Sequence, residues 1–197
     1  MVNEVGETKY APRMKSFIRL PTIAAALLSL SVPVAAQTRE GVMGDLLKDV
    51  ADVEKKILSL ANAIPESAYA WTPGPGARST GEVFKHIAAD NYFLPVLLDK
   101  PAPKETGITK DYKTTLAFEK LPMNRAAVVV ELEKSFAFLR SSMSSTTDAQ
   151  LSAAMDVFGQ KSTARGLWIS TATHLHEHLG QLIAYARSNK VTPPWSK

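Results

Sequence analysis

Residues 167–185 read LWISTATHLHEHLGQLIAY, and their apolar side chains recur every three or four positions. This spacing is typical of one face of an α-helix, and such a face packs against the core of a protein. His174, His178 and Gln181 lie on the same face as the apolar residues. The pattern therefore predicts a helix that points polar rings into the interior, on a stripe made of Leu167, Thr171, His174, Leu175, His178, Gln181, Leu182 and Tyr185.

The four histidines of the chain fall in two short segments, GEVFKHIAAD around His86 and THLHEHLGQL around the other three. His174 and His178 are four residues apart, so they project from one helix face a single turn apart and can grip the same ion. His176 is rotated to the opposite side of the helix and is excluded from the predicted ligand set. His86 lies among apolar residues and is predicted to complete a triad from a neighbouring helix.

The triad has two possible interpretations: each histidine is a core residue held by hydrogen bonds, or the three histidines bind one metal ion. A buried imidazole without a partner costs about 1–3 kcal/mol, so each ring needs hydrogen bonds or a metal ion. Three neutral imidazoles that leave a position open are the usual ligand set of a catalytic zinc site, which favours the metal. The triad is not that of a zinc protease, because Leu175 occupies the position where the His-Glu-x-x-His motif carries its catalytic glutamate.

Two further polar residues are candidate catalytic groups beside the triad. Asp90 follows His86 by one helical turn, and Gln181 follows His174 by almost two. Each is a candidate to orient a metal ligand or to polarise a substrate. The alternative is that each is a buried hydrogen-bonding residue or a solvated one. Tyr92 and Tyr185 are weaker candidates.

Apolar periodicity predicts three more helices. The first covers residues 38–63 and the third covers residues 124–144. The second begins at Ser79 or Thr80, and Pro95 either kinks it or marks its last turn. The histidine helix is the fourth and runs over 163–189. A polar crossover over 100–121 with one short helical turn separates the second helix from the third, and 151–161 is extended or hairpin-like around Gly159. The fold class is therefore predicted to be all-α, a four-helix bundle with a long crossover between helices 2 and 3.

The first 36 residues are typical of a secretory signal peptide. Lys15 and Arg19 precede an apolar run that ends in Val-Ala-Ala before Gln37, and translation is predicted to begin at Met14. The run between Pro21 and Pro33 is about a dozen residues, whereas a membrane span needs about 20. We expect a periplasmic or secreted domain over 37–197, with no stable membrane insertion after cleavage.

Charge and cysteine content exclude several classes of site. The formal net charge of +4 falls to +2 when the four basic and two acidic residues of the segment 1–36 are removed, so a nucleic-acid partner is not expected. The chain has no cysteine, which excludes a thiolate nucleophile and cysteine-based zinc or haem sites. Only His, Asp, Glu and water remain as metal ligands, and the sequence leaves open whether the domain forms a homodimer.

The sequence resembles the DinB-like family of damage-inducible bacterial proteins. The resemblance is carried by WTPGPGARSTGEVFKH before His86, by HLHEHLGQLIAYAR, and by the terminal TPPW. It implies a four-helix bundle in which His86, His174 and His178 bind a divalent ion, with Zn or Ni as the expected metal. It also implies a metal-dependent hydrolase or a transferase of low-molecular-weight thiols, acting on a small molecule that the sequence does not identify.

Two departures bear on the implied activity. Relatives often carry Arg between the second core histidine and the glycine, where this chain has Leu179. The predicted export would also separate the protein from a cytosolic thiol pool, which disfavours thiol transfer. The alternative function is a non-catalytic periplasmic bundle that binds a metal or a ligand.

Overall fold

Four long helices carry most of the chain that the structure describes. The structure is a computed structural model and describes residue 1 and residues 40–196. Residues 40–196 belong to one compact unit over 38–197. The four helices are α1 (Gly41–Ala63), α2 (Thr80–Val96), α4 (Arg125–Ser144) and α6 (Ala164–Ser188). The predicted all-α fold is confirmed. Met14 and the predicted cleavage site lie outside the described residues.

Shorter elements fill the connections. The crossover contains a 3₁₀ turn at Lys104–Thr106 and the helix α3 (Lys113–Glu119), which is one more helical element than the sequence predicts. After α4 come the four-residue α5 (Asp148–Leu151) and an antiparallel hairpin of β1 (Ala154–Val157) and β2 (Gln160–Thr163). Residues 151–161 are thus hairpin-like around Gly159, as predicted.

Side chains at the helix ends explain where the helices begin. Ser79 caps α2 by accepting a hydrogen bond from the backbone of Glu82, whose carboxylate accepts one from the Ser79 backbone in return. The side chains of Asn124 and Thr163 cap α4 and α6 by accepting from the backbone N–H of Ala127 and of Gly166. Such caps satisfy amide groups that have no partner within the helix. Pro95 lies in the last turn of α2; it has no backbone N–H to donate, and the helix ends one residue later at Val96.

The packing of the bundle brings the histidine segments together. Helix α4 packs against α1 and α2, and α6 packs against the same two helices, so α2 and α6 are neighbours. The centre is filled by fully buried aromatic and aliphatic side chains, among them Phe84, Phe136 and Trp168. Burial of such a side chain stabilises the fold by roughly 1.5–3 kcal/mol. Histidines at the α2/α6 contact are therefore held by a rigid core.

None of the described helices has both the length and the apolar character that crossing a membrane requires.

The capping box of α2 makes stability depend on pH. The hydrogen bond from the Ser79 backbone holds the pKa of Glu82 below its ordinary value of 4.5. This contribution is present above pH 4.5 and is lost as the pH falls through the lowered pKa. We expect Glu82→Gln to lower the free energy of unfolding by about 0.3–1 kcal/mol at neutral pH, and by less in acid. Urea denaturation at pH 7 and pH 3 measures both values.

A matched control for this prediction is Glu133→Gln, which changes an exposed glutamate on α4. It should alter the free energy of unfolding equally at both pH values. A Glu82→Gln effect that is independent of pH would contradict the assignment.

Candidate metal centre

The structure brings His86, His174 and His178 together at the contact between α2 and α6. One nitrogen of each ring lies within 4.8 Å of one nitrogen of each other ring. The Nε2 atoms of His174 and His178 are 3.2 Å apart. Since metal–nitrogen bonds of about 2.0–2.1 Å place tetrahedral ligand atoms roughly 3.4 Å apart, this spacing suits one shared ion. The triad could hold a metal ion.

The outer nitrogens of two of these rings are held by acceptors. His86 Nδ1 lies 2.7 Å from Glu119 Oε1, and His178 Nδ1 lies 2.9 Å from Gln181 Oε1. A carboxylate and an amide oxygen can only accept, so each Nδ1 carries the proton and donates it. The Nε2 of each ring is then left with a lone pair, which is the form that binds a metal.

A hydrogen-bonded chain joins the two outer nitrogens. Gln181 donates from Nε2 to the Tyr185 hydroxyl at 2.9 Å, and Tyr185 donates to the backbone oxygen of Arg78 at 3.2 Å. The Arg78 guanidinium donates to both oxygens of Glu119, at 3.0 and 3.4 Å. Arg78 thus supports one histidine through its backbone and another through its side chain.

Asp90 is the carboxylate closest to the centre of the triad. Its Oδ2 lies 2.8 Å from His174 Nε2 and 3.3 Å from His86 Nε2. Its Oδ1 is buried and, among the residues that the structure describes, has no hydrogen-bond partner. A buried carboxylate oxygen without a donor is costly, so this atom fits a site that receives a cation or a substrate donor.

The surroundings of His174 and His178 shift the pKa values of these two rings in opposite directions. Burial lowers the pKa of His178 to about 4, against a smaller opposing effect of its hydrogen bond to Gln181. The hydrogen bond to Asp90 raises the pKa of His174, and burial opposes this rise. Burial pushes the pKa of Glu119 upward, but hydrogen bonds from His86 and Arg78 outweigh it and leave that pKa lowered. His178 is therefore neutral, and Glu119 ionised, at neutral pH.

A cavity of about 560 Å³ opens onto this group. Its polar lining comes from His86, Asp90, His174, Arg78 and Ser170. Its other walls are largely apolar. A substrate in this cavity would have direct access to His86 and His174, two members of the triad.

Other candidates lie elsewhere. Tyr92 donates its hydroxyl to Glu131 of α4 at 2.8 Å, so it is directed away from the triad. His176 is half-exposed and faces Asp49 of α1 at 3.0 Å. Tyr185 takes part through its hydrogen bonds with Gln181 and with the backbone oxygen of Arg78.

Sequence reasoning missed Glu119 and did not give Arg78 an individual role. Glu119 ends the short helix α3 inside the crossover, where no long periodic pattern points to it. The available signal is weak: Glu119 is the sole carboxylate between Asp111 and Glu131. Arg78 belongs to the Pro- and Gly-rich loop before α2, and only the folded chain shows its contacts.

Comparison with known proteins agrees with this architecture. Residues 49–182 match the sequence model of the DinB superfamily. No curated protein matches the chain.

Solved structures share the fold. A DinB-like protein of Bacillus subtilis is 21% identical, with a TM-score of 0.58 over 75% of this chain and 93% of its own. A DinB-like protein of Bacillus cereus is also 21% identical, with a TM-score of 0.59 over 78% and 95% of the two chains. A conserved protein of Enterococcus faecalis is 15% identical, with a TM-score of 0.63 over 76% and 97%. At these identities the likeness concerns the fold alone.

The contact between Glu119 and His86 predicts a defect in metal affinity. We expect Glu119→Ala to weaken Zn²⁺ binding by about 10–100-fold, because His86 loses the acceptor that orients its ring. Competition with a fluorescent chelator measures the affinity, and circular dichroism checks the fold.

The control is Glu177→Ala, which removes a highly exposed carboxylate 3.6 Å from His174 Nδ1. It should change the affinity by no more than about threefold. Equal affinity of Glu119→Ala and the unsubstituted protein would show that Glu119 does not support the site.

Proposed function

The chain belongs to the DinB superfamily, and from that premise we propose that it is a metal-dependent enzyme which uses His86, His174 and His178 to hold one divalent cation. Neutral imidazoles suit Zn²⁺ and Ni²⁺ alike, and these are the metals we propose. The proposed reaction is hydrolysis of a small molecule, or group transfer to a thiol.

One observation carries the proposal. Nitrogens of the three histidines lie close enough together to share one ion, and two of these histidines line an open cavity together with Asp90. A structural zinc site is closed by four protein ligands, whereas a catalytic site keeps access for substrate. Access through the cavity supports catalysis.

The residues of the site have separate proposed roles. When bound, a divalent cation supplies Lewis-acid chemistry, polarising an oxygen or sulfur atom and favouring its deprotonation near neutral pH. The Asp90 carboxylate, which lines the cavity, accepts a hydrogen bond from the nucleophile and orients it. Gln181 and Glu119 fix the rings of His178 and His86 so that their Nε2 lone pairs stay inward. Hydrolysis is the preferred reaction, since the proposed export removes the protein from cytosolic thiols.

A specific distance favours the alternative, a non-catalytic metal-binding bundle. Asp90 Oδ2 is near enough to two histidine nitrogens, at 2.8 and 3.3 Å, to act as a fourth ligand itself. Three histidines and one carboxylate would complete a tetrahedral shell and leave no place for substrate. The role of Asp90 therefore distinguishes the two functions.

Metal analysis of histidine variants tests the binding step. Purified protein loaded with Zn²⁺ should retain about one ion per chain, and His174→Ala should lose it, since two imidazoles hold zinc far more weakly than three. His176→Ala is the matched control because it removes a histidine two residues away that faces Asp49. Plasma mass spectrometry after dialysis gives the stoichiometry. An equal metal content in both variants would refute the triad.

Replacement of Asp90 tests the catalytic role. If Asp90 orients the nucleophile, Asp90→Ala should keep its metal and lower turnover of an ester panel by about 100-fold or more. If Asp90 is a fourth ligand, metal affinity falls and the visible spectrum of the Co²⁺-loaded protein changes. Titration, spectroscopy and ester assays on the same preparation distinguish these outcomes.

A further inference from the structure

The cavity beside the triad is lined by three aromatic rings from three different segments. Phe93 comes from α2, Tyr112 directly precedes α3, and Phe158 lies in the turn between β1 and β2. Their ring centroids are 5.7, 6.2 and 6.4 Å apart, within the range of favourable aromatic contact. We call these residues the aromatic cluster.

Phe158 is held in the cluster at a conformational cost. Its φ is +55° and that of Gly159 is +83°, which is the left-handed pair found in two-residue hairpin turns. Asn, Asp or Gly normally occupies the first position of such a turn, and a bulky side chain there is disfavoured. Folding alone would favour Asn at residue 158.

The exposure of two of these aromatic rings to water is a second energetic cost. Phe158 is 67% exposed and Tyr112 is 43% exposed, whereas Phe93, beneath them, is 1% exposed. Large apolar surface left in water beside a cavity is a common feature of ligand-binding sites. A ligand that contacted these rings would remove that surface from water.

The two ends of the cavity differ in chemistry. Imidazoles and the Asp90 carboxylate form one end, and the aromatic cluster with Leu94 forms an apolar wall. A volume of about 560 Å³ admits a small molecule with a ring-sized body. The cavity thus suits a ligand with one polar and one apolar end.

We infer that this site takes substrates with an apolar, ring-sized body, which packs against Phe93, Tyr112 and Phe158 while the reactive polar group lies at the histidine end. Phe158 is then a specificity-determining residue. The orientation of the substrate rests on the proposed function, whereas recognition of the apolar body does not require a metal.

Hydroxamates that differ only in their bodies test the inference in the Zn²⁺-loaded protein. Benzohydroxamate carries a ring and acetohydroxamate carries a methyl group. Calorimetry should show benzohydroxamate binding at least about tenfold more tightly, a difference of roughly 1.4 kcal/mol. Phe158→Asn should reduce this preference to about threefold or less and leave the affinity for acetohydroxamate nearly unchanged.

Phe158→Asn places a residue that the turn itself favours, so the hairpin is expected to fold normally. Trp195→Asn is the matched control, because it makes the same kind of change at a partly exposed aromatic residue that lines a different cavity. It should preserve the preference for benzohydroxamate.

A metal-free arm separates failure of this inference from failure of the proposed function. The neutral probe N-phenyl-1-naphthylamine should gain fluorescence with the metal-free protein, and Phe158→Asn should weaken its binding by about fivefold or more while Trp195→Asn does not. Such binding without any hydroxamate affinity would sustain the apolar subsite and overturn only the metal site. Probe binding that is equal in all three proteins, or absent, together with no preference for benzohydroxamate, would overturn the inference.

Discussion

An imidazole has two ring nitrogens, and only one of them carries a proton when the ring is neutral. In this bundle three such rings each bring one nitrogen within 4.8 Å of the others. For these nitrogens to offer lone pairs to a shared ion, the proton of each ring must be on its other nitrogen. Glu119 and Gln181 impose this arrangement on His86 and His178 by accepting from Nδ1. The low pKa of His178 follows mainly from the same burial. Three segments meet this requirement: α3 supplies Glu119, α6 supplies Gln181, and the loop before α2 supplies Arg78, which holds Glu119.

Features governed by local spacing could be predicted from the sequence. Apolar periodicity predicted the four long helices. Ser79 was one of two predicted starts of α2, because capping chemistry depends on residues next to one another in the chain. The inward direction of His174 and His178 followed from the same periodicity. Proximity of Asp90 to the histidines followed from one helical turn of spacing.

Features that depend on distant contacts could not be predicted. Glu119 reaches His86 across 33 positions of sequence, and nothing in the short helix α3 signals that contact. The double role of Arg78 needs its backbone beside Tyr185 and its guanidinium beside Glu119 at once. Likewise, the hairpin was expected around Gly159, but the direction of the Phe158 ring depends on α2 lying below it.

The hairpin stands apart from the machinery that positions the histidines. Its strands pair only with each other among the described residues, and the hydrogen bonds that orient the imidazoles come from α3, α6 and the loop before α2. Insertions or substitutions in the turn of this hairpin would therefore change the residues that line the cavity there and leave the hydrogen bonds of the histidines intact. The ligand preference of this fold can thus change through the hairpin turn without any change at the metal centre.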